Sequence, residues 1–298
     1  MNRNLPAHLA VLTANIIYGA NYSIAKLVMP AFIQPFGFIV IRVGVSAVLF
    51  FTVAKLFYRE RIRKEDFGRI LLCALTGVAV NQLLFFKGLS LTGPINAGLM
   101  MVTNPIFVLL LTAWYFRERI SWKRMAGVAC GLTGAVLLIR FGPMTGNNLG
   151  DPLGDLYILL NSLSYAIYLV MVLPLMQRYH PLTVMHTVFA LGLLMVLPFG
   201  WGEFSSISWS SFTPEAWWAT LFVVVGTTFL AYLFNTLALR SLSPNVVSVY
   251  IYLQPLLAVG FAILLGKDSP NLLHLVSAVL IFFGVWLTTT SRKPATRD

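Results

Sequence analysis

The chain has 298 residues, 58% of them hydrophobic and 10% charged, with mean hydropathy +0.81 and a formal net charge of +11. Soluble domains are about 25% charged, so this chain lacks the charge to clothe a water-facing surface, which excludes an ordinary soluble enzyme, a disordered tail and a disulfide scaffold. The cations sit in short clusters between apolar runs, so no nucleic-acid partner is expected and the lipid bilayer is.

A helix needs about 20 mostly apolar residues to cross about 30 Å of hydrocarbon. Ten such runs follow one another: His8–Met29, Phe36–Phe57, Phe67–Leu89, Ile95–Phe116, Trp122–Arg140, Gly154–Met176, Leu182–Gly200, Ala216–Leu239, Asn245–Gly266 and Leu272–Thr290. The breaks hold Pro30 and Pro35, Gly93-Pro94, Gly142-Pro143, Pro181, Pro214, Pro244 and Pro270. Most breaks are short, so neighbouring helices run antiparallel. The first run is too long, and too often interrupted by Asn15, Asn21 and Lys26, for a cleavable signal; it is read as a mature helix. Cys73 and Cys130 lie inside apolar runs and read as small core residues. The longest polar excursion, Glu203–Glu215, is flanked by Trp201, Trp209, Trp217 and Trp218, which suit a membrane-interface belt.

With a cytoplasmic N-terminus, sixteen Lys and Arg fall on the inside segments and four on the outside ends (Lys26, Lys87, Arg140 and Lys267), with Arg42 inside a helix. That bias places both termini in the cytoplasm, in agreement with an even number of spans.

The chain also repeats itself. A shift of 150 residues sets Leu89, Pro94, Pro105, Gly134 and Leu137 on Leu239, Pro244, Pro255, Gly284 and Leu287. Near the N-terminus a shift of 146 sets Asn15, Ala20, Tyr22 and Pro35 on Asn161, Ala166, Tyr168 and Pro181. Five spans per half is an odd number, so the second half starts from the opposite side of the membrane. The expected fold is all-α, with two inverted five-helix repeats (residues 1–147 and 148–298). This arrangement places a substrate site near the midplane between the repeats and permits alternating access.

These features resemble the drug/metabolite transporter superfamily, and within it the EamA-like permeases. The carrying residues are Arg42, Gly93-Pro94, Asn104-Pro105, Phe116-Arg117-Glu118-Arg119, and Gly127, Gly131 and Gly134. Ser243-Pro244, Gln254-Pro255 and Gly284 repeat them in the second half. Asp268, where the family often places a glutamate, and Ser277, opposite Gly127 of the first half, are mild departures. The resemblance covers essentially the whole chain and implies the ten-helix fold and the transport of metabolites, inward or outward, without naming a substrate.

Polar groups inside the spans are informative because lipid penalises them. His8, Asn15, Tyr22 and Lys26 recur on one face of the first helix, with Tyr18 beside them. Asn161, Ser164, Tyr165 and Tyr168 repeat the device on the sixth. Two readings are open for this stripe: facing walls of a cavity, or amides and hydroxyls that tie helices together. The third helix offers Asn81 and Gln82, the fourth Thr103-Asn104-Pro105, the eighth Thr227, Thr228 and Asn235, and the ninth Tyr250, Tyr252 and Gln254-Pro255. Pro105 and Pro255 sit near mid-span and predict a kink in each helix. The candidate substrate-binding set is Asn15, Tyr18, Tyr22, Lys26, Asn81, Thr103, Asn104, Asn161, Tyr165, Tyr168, Asn235, Tyr252 and Gln254. Arg42 lies about 10 Å below the outer end; snorkelling, a bond to a helix end and an anionic group are its three readings. Gly127-x3-Gly131 is a small-residue packing run, within the bundle or at a dimer face.

All ten carboxylates lie at or beyond span ends, so no acid is available mid-membrane for a proton relay or a strongly cationic drug. No Walker loop, Cys/His metal cluster or Gly-x-Ser-x-Gly is present, so no cofactor, metal or catalytic residue is implied. The expected function is secondary transport of neutral, zwitterionic or carboxylate-bearing metabolites, amino acids or related compounds, outward across the inner membrane, by a monomer or homodimer. The rival classes are a membrane-embedded enzyme acting on lipid and a passive channel.

Overall fold

The computed structural model describes residues 4–57, 60–92, 94–141, 151–257 and 272–290. Among these the regular structure is helical, without strands, as the unpaired edges of an open sheet would be costly in lipid. The helices are α1 (Leu5–Val28), α2 (Pro35–Phe57), α3 (Phe67–Ala74), α4 (Val80–Leu91), α5 (Pro94–Met101), α6 (Asn104–Tyr115) and α7 (Trp122–Phe141). They continue with α8 (Pro152–Arg178), α9 (Pro181–Ser205), α10 (Pro214–Leu221), α11 (Ala231–Ala238), α12 (Pro244–Val249) and α13 (Leu272–Thr290). Five uninterrupted rods are long and apolar enough to cross a membrane: Pro35–Phe57, Lys64–Leu91, Pro152–Arg178, Pro181–Ser205 and Pro214–Ala238. With 24 residues α1 has the length as well, but Asn15, Tyr18, Asn21 and Tyr22 dilute its apolar character.

Proline marks the starts. Pro35, Pro94, Pro181, Pro214 and Pro244 each open a helix, where a missing N–H costs nothing. Some other helix starts are capped by side chains: Asp151 accepts from Leu153 at 2.9 Å, and Thr213 from Ala216 at 3.2 Å. The start of α2 is held from outside, because Glu203 Oε2 accepts from the N–H groups of Phe36 and Gly37 at 2.6 and 2.8 Å. That contact exists because α9 runs on to Ser205, past the expected end at Gly200, and takes Glu203 out of the polar excursion. A carboxylate there also meets the positive end of the helix dipole. Trp209 and Trp217 stack beyond it, 5.8 Å between centroids, with Trp201 and Trp218 exposed nearby. Gly93, Gly142-Pro143, Lys267-Asp268 and Pro270 lie outside the described residues.

Two expected single helices are interrupted. The α-helix between Pro94 and Tyr115 breaks at Val102-Thr103, directly before Asn104-Pro105. A 3-10 turn at Tyr250–Tyr252 precedes Gln254-Pro255 in the same way. Proline cannot donate to the carbonyl four residues back and collides with it, so both breaks fall one turn before the ring. Two rods each contain a π-helical stretch, Leu75–Ala79 in one and Phe222–Leu230 in the other. Under the 150-residue shift the first falls inside the second.

The packing is paired. The most extensive seams join α2 to α9, α7 to α13, α4 to α8 and α1 to α11. Under the five-helix correspondence, each of the first two seams maps onto itself and the last two map onto each other. The α7–α13 seam is close enough that a Cβ on Gly284 would stand 2.6 Å from the carbonyl oxygen of Gly127. The small-residue run of α7 therefore packs inside the molecule, as small residues permit in lipid. Between α6 and α7, Arg117 takes a left-handed φ of 53° and Glu118 pairs with Arg124 at 3.0 Å. Large apolar side chains such as Trp114, Leu194, Phe199, Leu272 and Phe282 are exposed on the outside, a surface suited to lipid. The chain is a multi-pass membrane protein.

Candidate functional site

A cavity lies where the two halves meet, with about 670 Å³ of space free of protein atoms, part of it open to solvent. Its walls come from α1, α4 and α8, from the α5 end and the second π segment, and from α11, α12 and the turn beyond it; α2 adds one side chain, Arg42. Among the described residues neither α7 nor α13 lines it.

Asn15, Tyr18, Tyr22, Asn81, Asn161, Tyr165, Asn235 and Gln254, all candidates by sequence, line this cavity. They are bonded to one another and to the backbone. Asn15 donates to its own helix at Val11 O, 2.9 Å, and accepts from Gln254 Nε2 at 2.8 Å. Tyr22 donates to Gln254 Oε1 at 3.2 Å, which closes a polar latch between α1 and the segment after the 3-10 turn. Asn161 donates to Asn81 O at 2.6 Å, and Asn235 to the Tyr165 hydroxyl at 3.0 Å. Of the polar stripe, Asn15, Tyr18, Tyr22, Asn161 and Tyr165 face the hollow, and several of them also tie helices together, while His8, Lys26, Ser164 and Tyr168 do not line it.

The other five candidates sit away from the lining. Lys26 donates to Thr92 O at 3.0 Å, near the end of α4. Thr103 donates to Met100 O at 2.6 Å, and Asn104 to Ser162 O at 2.7 Å. The residue before each mid-span proline thus serves as a bolt: Asn104 reaches α8, while Gln254 reaches α1, its counterpart in the other half. The Tyr168 ring is buried, with its hydroxyl 3.4 Å from Thr236 Oγ1 and 3.6 Å from Met185 Sδ. Tyr252 is fully buried against Gly131. His8, also on the expected stripe, meets the Tyr250 hydroxyl at 2.8 Å instead.

The lining includes residues outside the candidate set: Asn21, Gln82, Phe85, Phe86, Thr227 and Tyr232, besides Arg42. Tyr232 donates to Gly77 O at 2.9 Å and Asn81 Oδ1 at 3.1 Å. Thr227 donates to Asn21 Oδ1 at 3.2 Å. Gln82 and Thr227 stand out in the sequence as polar residues within apolar runs. Tyr232 shares a face of α11 with the candidate Asn235, three residues on, but a tyrosine in an apolar run reads as readily as packing.

What this arrangement can do chemically is bind. Amide, hydroxyl and aromatic groups line it, and among its described residues there is no nucleophile–base pair and no group of three or more potential metal ligands. Helical rods enclosing a polar hollow define the class, a multi-pass membrane protein with an internal binding cavity.

The chain belongs to the EamA-like transporter family, whose model matches residues 5–140 and 152–290. An uncharacterized transporter of Archaeoglobus fulgidus is 24% identical over 97% of this chain and 99% of its own length. An uncharacterized transporter of Bacillus subtilis is 23% identical over 95% of this chain and 93% of its own. A probable terminal-alkyne amino-acid exporter of Streptantibioticus cattleyicolor is 26% identical over 76% of this chain and 75% of its own. A crystal structure with 19% sequence identity superposes with a TM-score of 0.74 over 95% of this chain and 96% of that one, which shows a shared fold.

Proposed function

We propose that this EamA-family transporter moves small neutral or zwitterionic metabolites, amino acids or related compounds, outward across the inner membrane by alternating access. Ten spans in two inverted repeats (residues 1–147 and 148–298), with both termini cytoplasmic, give the pseudo-symmetry that alternating access needs. The sixteen-to-four distribution of cations supports this orientation. The paired seams and the π segments at matched positions support the repeat. The observation that carries the reading is the cavity itself, uncharged except for Arg42 among the described residues and built from side chains of both halves. Asn15, Tyr18, Tyr22, Asn81, Asn161, Tyr165, Asn235 and Gln254 are its proposed substrate contacts. Lys26, Thr103, Asn104, Tyr168 and Tyr252 are proposed to hold the helices that carry them. The amino-acid class draws support from the relative described as an amino-acid exporter.

Counterflow into proteoliposomes tests this reading. Exchange that saturates with solute concentration is expected; flux linear in concentration indicates a channel, and a chemically altered solute indicates an enzyme.

A further inference from the structure

Arg42 is 2% exposed on α2 and is the one charged side chain among the described cavity-lining residues. Its Nε donates to Thr228 Oγ1 at 2.9 Å. That hydroxyl gives its own proton to Val223 O at 2.8 Å, so only its acceptor side faces the arginine. The guanidinium carbon lies 4.0 Å from the centroid of the Phe86 ring. Nη1 has no hydrogen-bond partner, and the two ion pairs among the described residues, Arg124–Glu118 and Arg178–Asp66, do not involve Arg42. A guanidinium buried without an anion is costly, and a ring face offsets only part of that cost. Snorkelling does not relieve it, since the side chain is buried and pinned at Nε.

We infer that Arg42 is the carboxylate anchor of the transported solute, held at the cavity wall by Thr228 and Phe86 with Nη1 left to bond it. The planar fork of a guanidinium matches a carboxylate through two parallel N–H bonds, which a neutral amide cannot reproduce. Because no carboxylate lines the cavity among the described residues, a cation without an acid group gains no counter-charge there. The cargo class is therefore solutes with a carboxylate, and Arg42 discriminates acid from amide. This assignment rests on the carrier reading for its transport step but not for its binding step.

The test uses the purified full chain with L-alanine, L-threonine and L-phenylalanine, each paired with its carboxamide. Thermal stabilisation reads binding, since a ligand that binds the folded state raises its apparent stability. At least one acid is expected to stabilise the wild type, with its amide needing about tenfold or more higher concentration, the ratio that one lost charge-assisted contact produces. Arg42→Gln is expected to erase that ratio and Arg42→Lys to keep part of it, as charge without the fork. Thr228→Val, which removes the oxygen that fixes Nε, is expected to narrow it and serves where Arg42→Gln does not fold. Equal response to acid and amide, no response to any acid, or a wild-type ratio in the variants overturns the assignment. Counterflow of the same solutes separates the two claims. Saturable exchange of acid and amide alike removes the anchor and leaves the carrier, whereas acid-selective binding without exchange removes the carrier and leaves the anchor.

Discussion

Replacing Gly77 with alanine tests the seam between the first π segment and α8. An added Cβ would stand 2.3 Å from Cδ2 of Tyr168, 2.6 Å from its Cγ and 2.8 Å from its Cε2. These atoms belong to the root of a ring that is 1% exposed and whose hydroxyl is held between Thr236 and Met185, so it has nowhere to swing. Helix propensity favours alanine by up to about 1 kcal/mol, while overpacking a tight core costs about 1–3 kcal/mol. The Gly77 carbonyl also holds the Tyr232 hydroxyl at 2.9 Å, and losing that bond adds about 0.5–1.5 kcal/mol. Steric cost wins, leaving Gly77→Ala destabilised by about 0.5–4.5 kcal/mol on these figures. Tyr168→Ala alone is expected to cost about 3–5 kcal/mol through the space it empties. In the double variant the new methyl enters that space, so the combined loss falls short of the sum by about 1 kcal/mol or more. Unfolding free energies from SDS titration in mixed micelles measure all four corners of the cycle. A Gly77→Ala protein as stable as wild type, or strictly additive losses, refutes the argument.

Tyr22→Ala is expected to impair solute exchange more than membrane insertion, and Tyr22→Phe to do so mildly, since the Asn15–Gln254 bond at 2.8 Å survives; wild-type exchange in both rejects Tyr22 as a cavity wall. Gly284→Leu forces apart backbones whose closest approach leaves 2.6 Å for a Cβ. It should abolish recovery of monodisperse protein from detergent, and normal recovery contradicts the seam. Asp66 accepts from the Tyr179 hydroxyl at 2.8 Å and from the half-exposed Arg178 at 2.9 Å. Asp66→Asn keeps an acceptor and loses only a screened charge, about 1 kcal/mol or less, whereas Asp66→Ala is expected to lower the unfolding midpoint further; equal midpoints count against the clamp. Collapsing a pH gradient should leave counterflow nearly unchanged because no lining carboxylate is available to carry a proton among the described residues. Obligate proton stoichiometry refutes that.

The rods were legible because lipid imposes one rule, a long apolar run closed by proline or glycine, and Pro35, Pro181, Pro214 and Pro244 sit at helix starts as that rule requires. The polar face of α1 was legible for the same reason: Asn15, Tyr18 and Tyr22 are costly anywhere but a hollow or a helix contact. Spacing alone does not separate those two fates, which is why Thr103, Asn104 and Tyr168 share the pattern yet serve as bolts and packing. Arg42 was visible as an anomaly, but its role depends on what surrounds it, Thr228 and Phe86, residues 186 and 44 positions away. The π segment Phe222–Leu230 left no mark, because it reads as ordinary apolar sequence. A π turn depends on tertiary packing more than on residue type, and its extra residue rotates everything that follows.

That rotation has a geometric consequence. A single extra residue advances the downstream helix by about 100°, so Leu75–Ala79 and Phe222–Leu230 each reset the face that the rod beyond them presents. Removing one residue from either segment would restore a regular spiral and turn Asn81 or Tyr232 toward a neighbouring helix. The shape of the hollow thus depends on two local counts of residues per turn as well as on which side chains border it.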